Sequence, residues 1–356
     1  MYDIVIVGLG PAGSTFARLL DKNLKVLILD KKDPDDDNSF KKPCGGLLAP
    51  DAQKSLARFG LTLPSDVLVA PQIFAVKTID TKSDLIRHYQ RFYINLDRHK
   101  FDLWLGSLIP KSFEKISHST CLAVEKQENG YCVRFTANGE EKTVNTRYIV
   151  GADGANSVLR KVLYKRNRIP TYISIQEWYR EEHSVPFYSS IFDPQITDSY
   201  CWSCSKDDNF IIGGAFPIKT AKKKMKLLKE KLASKHGFIF GEMLKTEACL
   251  VLRPRWFSDF CTGKGGAFLI GEAAGFISPS SLEGLSYAFD SAYQLSRAFN
   301  SSKKSTNLNA SYKRKTFKIR LKLILKHLKS PFMYWSWLRY LVMKSRFQSI
   351  TLTDDK

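Results

Sequence analysis

The chain has 356 residues, 44% hydrophobic and 12% aromatic, so sizeable cores are expected and roughly two domains at about 100–200 residues each. Its 55 basic against 35 acidic residues leave a formal net charge of +20. That favours anionic partners such as phosphorylated substrates or an acidic membrane surface, with an ordinary solvated lysine-rich face as the plain alternative. No apolar run reaches the roughly 18–20 residues of a membrane span. The first strand begins almost at once, so no signal peptide is expected, and seven scattered cysteines suit a reducing cytoplasm better than a disulfide framework.

The first thirty residues read as strand, tight turn, helix, strand and acid. Tyr2 to Val7 is a β-branched run suited to a buried parallel strand. Gly8, Gly10 and Gly13 follow in the order G-x-G-x-x-G, with Pro11 and Ala12 between the last two. Gly8 permits the turn, Gly10 lets a pyrophosphate approach the backbone, and Gly13 lets the helix sit close to the strand. The helix N-terminus offers free N–H groups to phosphates. Lys25 to Leu29 is the second strand. Asp30 closes it, placed to accept the hydroxyls of an adenosine ribose, with Lys31 beside it. An acid here excludes a bound 2′-phosphate, leaving FAD or NAD.

A polar, proline-broken loop follows, then Pro43-Cys44-Gly45-Gly46, where two glycines let a backbone run close to something flat. Asp51 is the expected cap of a helix over 52–59. Strand alternation runs from Ile73 to Tyr93, and Asp97 is placed to cap a helix whose Phe101, Leu105 and Leu108 share one face. Residues 121–126, 130–136 and 143–150 form a meander with turns at Asn129-Gly130 and Asn138-Gly139, ending at a second strand–glycine–acid junction, Gly151-Ala152-Asp153-Gly154.

Strands are expected over 172–178, 200–205 and 210–216, then a lysine-rich helix over 220–234 with Met225, Leu228 and Leu232 in one stripe. Cys201 and Cys204 form a C-x-x-C, but residues three apart on a strand point to opposite faces, which disfavours a redox pair. A third junction, Gly271-Glu272-Ala273-Ala274-Gly275, precedes a helix over 285–299 opened by Gly284 and Leu285. Residues 301–356 are basic and helical in pattern and include PFMYWSWLRYLVMKSRF at 331–347. Two readings stand for that tail: an amphipathic helix resting on a membrane, or a helix packing back on the substrate domain. His88, His99, His118, His183, His236 and His327 show no ligand spacing, so no metal is assigned. Nucleic acid is disfavoured, because no recognition motif accompanies the dispersed lysines.

GLGPAG, GADGANS and GEAAG together resemble the three FAD fingerprints of the flavoprotein hydroxylase superfamily. PCGG and the later Tyr200-Cys201-Trp202 resemble the geranylgeranyl reductase family within it. The resemblance implies an α/β fold: a Rossmann-type FAD-binding domain over 1–70, 94–165 and 253–300, a smaller antiparallel-sheet substrate domain over 71–93 and 166–252, and a helical C-terminal segment over 301–356. It implies that Gly8, Gly10, Gly13 and Asp30 hold the ADP half of FAD, that Arg98 lies near its phosphate or ribityl region, and that Asp153 lies near the pyrophosphate. Glu272 stands where the family more often has aspartate. Cys44, Gly45 and Gly46 flank the isoalloxazine ring, with Cys44 the candidate catalytic thiol. Gly284 and Leu285 open a helix whose N–H groups stabilise negative charge on the reduced ring. Tyr200 and Trp202 face the substrate, though Cys204 and Ser205 replace the family's aromatic and proline.

The implied activity is FAD-dependent reduction of C=C bonds in an isoprenoid-like or other apolar substrate, with an external electron donor. An FAD-dependent monooxygenase or halogenase-like enzyme acting on an aromatic is the alternative.

Overall fold

The run Ile4–Val7 has no polar face, so it belongs between other strands with helices packed on both sides. In the computed structural model, which describes residues 1–36, 38–166, 168–180, 187–300 and 307–353, the Tyr2–Val7 strand takes that central place. It pairs in parallel with Val26–Leu29 on one side and with the C-terminal half of Glu140–Gly151 on the other. Glu114–Ile116 and Ala267–Leu269 extend the two flanks, again in parallel. The N-terminal half of Glu140–Gly151 diverges into an antiparallel meander with Gly130–Ala137 and Ser119–Gln127. Helices Pro11–Arg18 and Leu285–Asn300 pack together and share the core that holds Ile4, Ile28 and Ile149.

The second sheet has nine strands. Its spatial order is Met243–Leu252, Thr171–Arg180, Asn209–Phe216, Cys201–Lys206, Tyr188–Phe192, Ile73–Asp80, Leu85–Asn95 and Ser349–Ile350, with Leu47–Leu48 added on Leu85–Asn95. All contacts are antiparallel except that of Tyr188–Phe192 with Ile73–Asp80. Helix Ala221–His236 lays Met225, Leu228 and Leu232 on this sheet and ends at Gly237, whose φ of 66° suits a residue without a Cβ. Each of those three side chains contributes about 1.5–3 kcal/mol by leaving water.

Several expectations change in detail. The helix after the PCGG loop is Pro50–Arg58 and begins at Ala49, because Pro50 suits the first helical position. Asp51 therefore lies inside the first turn and pairs with Lys322 at 2.8 Å instead of capping. Asp97 does cap its helix, accepting from the His99 and Lys100 N–H groups. The first meander turn falls at 128–129, one residue early, and Gly130 enters the strand against the Thr146 carbonyl. Asn138 and Gly139 form the second turn, with φ of 51° and 85°.

The second sheet contains two strands beyond those expected, Tyr188–Phe192 and Met243–Leu252, together with the short strand Ser349–Ile350. The tail is no separate unit. Tyr312, Ile319 and Leu323 enter the first core, Tyr312 donates to the Leu269 carbonyl at 3.0 Å, and buried Arg339 pairs with buried Asp80 at 3.1 Å in the second sheet. No helix among the described residues is long and apolar enough to cross a membrane.

Candidate active site

The three glycine turns meet. A Cβ on Gly8 would stand 2.6 Å from the Ala152 carbonyl oxygen of the second turn, and one on Gly271 of the third turn 2.9 Å from the Ala12 Cβ of the first. A Cβ on Gly13 would lie 1.9 Å from the Gly8 carbonyl oxygen, so the helix can approach its strand only as glycine. Buried Arg160 stitches the second and third turns together. It donates to the Ala273 carbonyl at 2.9 Å, to that of Glu272 at 3.4 Å, and to that of Ala155. Sequence reasoning missed Arg160, whose partners in the third turn lie more than a hundred residues away.

The first turn is shaped for an anion. Helix Pro11–Arg18 starts at Gly10 with no side chain capping it, and a Cβ on Gly10 would meet nothing within 4 Å. Open space therefore lies before uncapped helical N–H groups. Asp30 is nearly buried. One of its carboxylate oxygens accepts the Leu9 N–H, and the other accepts the Lys32 N–H at 2.7 Å. Each oxygen keeps a lone pair for a further donor. Lys31 is exposed; its neighbour Lys32 is the buried cation, donating to the Leu9 carbonyl at 2.9 Å and pairing with Asp102 at 3.0 Å. Arg98 reaches the same carboxylate at 2.8 Å, so Lys32, Asp102 and Arg98 brace the glycine loop from behind. Burial would raise the Asp102 carboxyl, but the two cations hold it below its ordinary range.

Asp153 gives one oxygen to the Val158 N–H at 2.8 Å. Its Oδ1 is buried without a hydrogen-bond partner among the described residues, and burial raises its pKa. In the third turn, Glu272 accepts the Leu252 N–H at 3.0 Å through one oxygen and pairs with Lys42 at 2.9 Å through the other. Lys42, on the loop before Cys44, also approaches Gly154 of the second turn. Gly275 ends the third turn at φ 80°, where a Cβ would strike the Asp259 carbonyl.

The Leu285–Asn300 helix does not open on free N–H groups throughout. The Glu283 carboxyl accepts both the Ser286 N–H and its hydroxyl at 2.7 Å, and burial pushes that carboxyl up. The expectation of free N–H groups at the Gly284–Leu285 start is narrowed: the Glu283 carboxyl, just ahead of the helix, already takes the Ser286 N–H.

The PCGG loop lies between the two sheets. Cys44 accepts the Gly46 N–H at 3.4 Å and sits against Arg98. Gly46, at φ 62°, is confined by the Leu96 carbonyl and by Lys206, so neighbouring protein already accounts for its lack of a side chain. Lys206 is buried beneath it, donating to Asn95 Oδ1 at 2.6 Å and to the Leu96 carbonyl at 2.8 Å, and burial lowers its pKa. A Cβ on Gly45 would lie 3.7 Å from Trp202 Nε1, a buried N–H with no partner among the described residues.

Tyr200 and Trp202 pack 5.7 Å apart, and the Tyr200 hydroxyl donates to the Ser281 carbonyl. Tyr93, Tyr188 and Phe192 continue that aromatic wall, and Tyr334 of the tail touches Phe192. Cys201 and Cys204 form no disulfide and enter different cores, on opposite faces of their strand. No cluster of His, Cys, Asp or Glu is arranged for a metal among the described residues, and His183 lies outside them.

These features fit a flavin dinucleotide: open space before an uncapped helix start, an acid at the second strand's end, and an orphaned carboxylate oxygen at the junction. A family model described as an FAD binding domain matches residues 115–212. The fold is similar to a geranylgeranyl bacteriochlorophyll reductase-like protein of Thermoplasma acidophilum, with a TM-score of 0.79 at 19% identity over 100% of this chain and 93% of that one. It is similar also to the flavin-dependent brominase Bmp2 in a triple-mutant form, with a TM-score of 0.73 at 18% identity over 98% and 93%. PqsL of Pseudomonas aeruginosa, solved with 2-aminobenzoylacetate, gives 0.70 at 15% identity over 97% and 99%.

Fold and matched domain define a flavoprotein oxidoreductase that uses FAD. Protein CbrA of Shigella flexneri serotype 5b (strain 8401) is 51% identical over 354 residues, covering 99% of this chain and 96% of that protein. Protein CbrA of Escherichia coli O157:H7 is 51% identical over 99% of both. The chain belongs to the CbrA family.

Proposed function

We propose that this enzyme reduces carbon–carbon double bonds of an isoprenoid-like or other apolar substrate, as the geranylgeranyl reductase family does. The observation that carries the reading is the wall opposite the PCGG loop. Trp202, Tyr200, Tyr188, Tyr93 and Phe192 line it with rings, and Cys204 and Ile211 pack in the same cluster. Such a wall favours an apolar chain over a charged metabolite. The likeness to a reductase-like protein along the whole chain supports it.

In this reading residues 1–70, 94–165 and 253–300 make the FAD half, and 71–93 with 166–252 make the substrate half. Gly8, Gly10, Pro11, Ala12, Gly13 and Asp30 hold the ADP portion, with Lys31 at its solvent edge. Arg98, Asp153, Gly271, Glu272 and Gly275 border the pyrophosphate side. Cys44, Gly45 and Gly46 border the ring, with Gly284 and Leu285 at its far edge. FAD, once bound and reduced by an external donor, supplies two electrons as a hydride. The protein orients the substrate against Tyr200 and Trp202, keeps water out, and holds at Cys44 Sγ the proton that the second carbon takes up. Solvent restores that proton.

The test is turnover under argon. Dithionite-reduced holoprotein mixed with geranylgeranyl diphosphate should return to the yellow form, and mass spectrometry should find two hydrogens added per double bond. Flavin that stays reduced under argon, but discharges in air while hydroxylating or halogenating an aromatic, would replace this reading with the monooxygenase alternative.

A further inference from the structure

The tail presents an outer face that the fold leaves uncovered. On helix Phe317–Leu328 the exposed apolar residues are Phe317, Leu321, Leu325 and Leu328, with Leu328 64% exposed. Steps of four, four and three place them on one side of the helix, opposite buried Ile319 and Leu323. Past the short helix Ser330–Tyr334, Trp335 and Trp337 are 57% and 60% exposed. Single exposed apolar residues are ordinary, but a contiguous run marks a contact surface.

The segment's own charge has one sign, although Lys322 on helix Phe317–Leu328 pairs with Asp51 of helix Pro50–Arg58. Between residues 307 and 350 the chain carries eleven lysines and arginines and no aspartate or glutamate. Lys318, Lys329, Lys344 and Arg346 are exposed among the apolar residues. Leucine and tryptophan beside lysine, with no acid in the segment itself, complement the boundary between acyl chains and anionic headgroups. The same segment is held rigidly from behind by Tyr312 on Leu269 and Arg339 on Asp80, so its outer residues are presented on a fixed platform.

We infer that the tail face formed by Phe317, Leu321, Leu325, Leu328, Trp335 and Trp337 seats on an anionic phospholipid bilayer. The chain lies on the membrane without crossing it. Tyr334, between exposed Phe332 and Trp335, reaches inward to Phe192 and the Ser280 carbonyl, so the seated face adjoins the aromatic wall. The inference stands independently of the reduction chemistry, since lipid seating is read without turnover.

The experiment uses the full flavin-loaded chain. It should float with vesicles of mixed phosphatidylcholine and phosphatidylglycerol, bind pure phosphatidylcholine about tenfold more weakly, and release in high salt. Tryptophan emission should shift to the blue on binding. Trp337→Ser with Leu328→Ser, both at exposed positions, should weaken binding about tenfold while leaving the flavin spectrum and near-ultraviolet circular dichroism unchanged. Lys318→Glu with Lys329→Glu should do the same. Three results overturn the inference: no flotation with anionic vesicles; flotation that the serine pair leaves intact, which would mean charge attraction without seating; and light scattering that shows a dimer dispersed by the serine pair, which would make the face a contact between copies.

Discussion

Lys42 Nζ lies 2.9 Å from Glu272 Oε2, while the other oxygen of that carboxylate accepts the Leu252 N–H. One side chain thus ties the loop before Cys44, the third glycine turn and the edge strand of the second sheet. The extra methylene of glutamate supplies the reach. Glu272→Asp should lose one of the two contacts and cost about 1–2 kcal/mol, and Glu272→Ala should orphan the Leu252 N–H and cost about 3 kcal/mol. Urea denaturation followed by flavin absorbance measures both. Equal stability of the aspartate and alanine variants would deny Glu272 its bridging part.

Gly10 and Gly13 let the proposed flavin binding be tested apart from folding. Gly13→Ala drives a Cβ into the Gly8 carbonyl, so the thermal transition should fall sharply or vanish. Gly10→Ala meets no protein atom, so the apoprotein should melt within about 1 kcal/mol of wild type. Its Cβ enters the open space before the helix start, and flavin affinity should drop about tenfold or more. Flavin titration of the refolded apoprotein gives the second number. An unchanged affinity in the alanine variant would place the phosphates elsewhere.

The Glu283 carboxyl is raised by burial above its ordinary 4.5. The folded state therefore binds more protons there than the unfolded state, and stability falls as pH rises between the unfolded and folded values. Glu283→Gln removes that charge. Its own loss of hydrogen-bond quality is independent of pH, so its stability relative to wild type should improve on going from pH 4 toward neutrality (about one proton's worth of slope in the window). Parallel urea curves at each pH read the difference. A gap that stays constant, or widens against glutamine, would mean the acid is ionised at no cost.

Trp202 Nε1 is buried beside Gly45 and has no partner among the described residues. Trp202→Phe removes an unsatisfied donor together with some ring, so the apoprotein should lose only about 1–2 kcal/mol. If a bound ligand takes that N–H, the holoprotein should lose flavin or substrate affinity beyond that amount. Isothermal titration with FAD and with substrate decides which ligand uses it, and identical affinities for both in the phenylalanine variant would leave the donor idle.

What is legible in the chain alone follows locality. The glycine turns, Asp30 and the Asp97 cap are set by residues within a few positions of each other, and their spacing carries the geometry. Lys32, Arg160 and Lys206 act through Asp102, Ala273 and Asn95, partners 70 to 113 residues away, which no short pattern encodes. Tyr188–Phe192 escapes a pattern search because Ser189 and Ser190 sit in mid-strand, Ser189 fully buried, where the alternation of apolar and polar residues breaks down. The start of the Leu285–Asn300 helix misleads for a related reason. Glycine suggests bare amides, but Glu283 caps Ser286 from just ahead of the helix.

The meeting of Gly8 with Ala152, and of Ala12 with Gly271, has a consequence for synthesis. The first glycine turn is made some 250 residues before Gly271, which packs against its Ala12. A coenzyme held by these turns would not be gripped on all sides until residue 271 is made, so the growing chain would be colourless first and acquire its dye late.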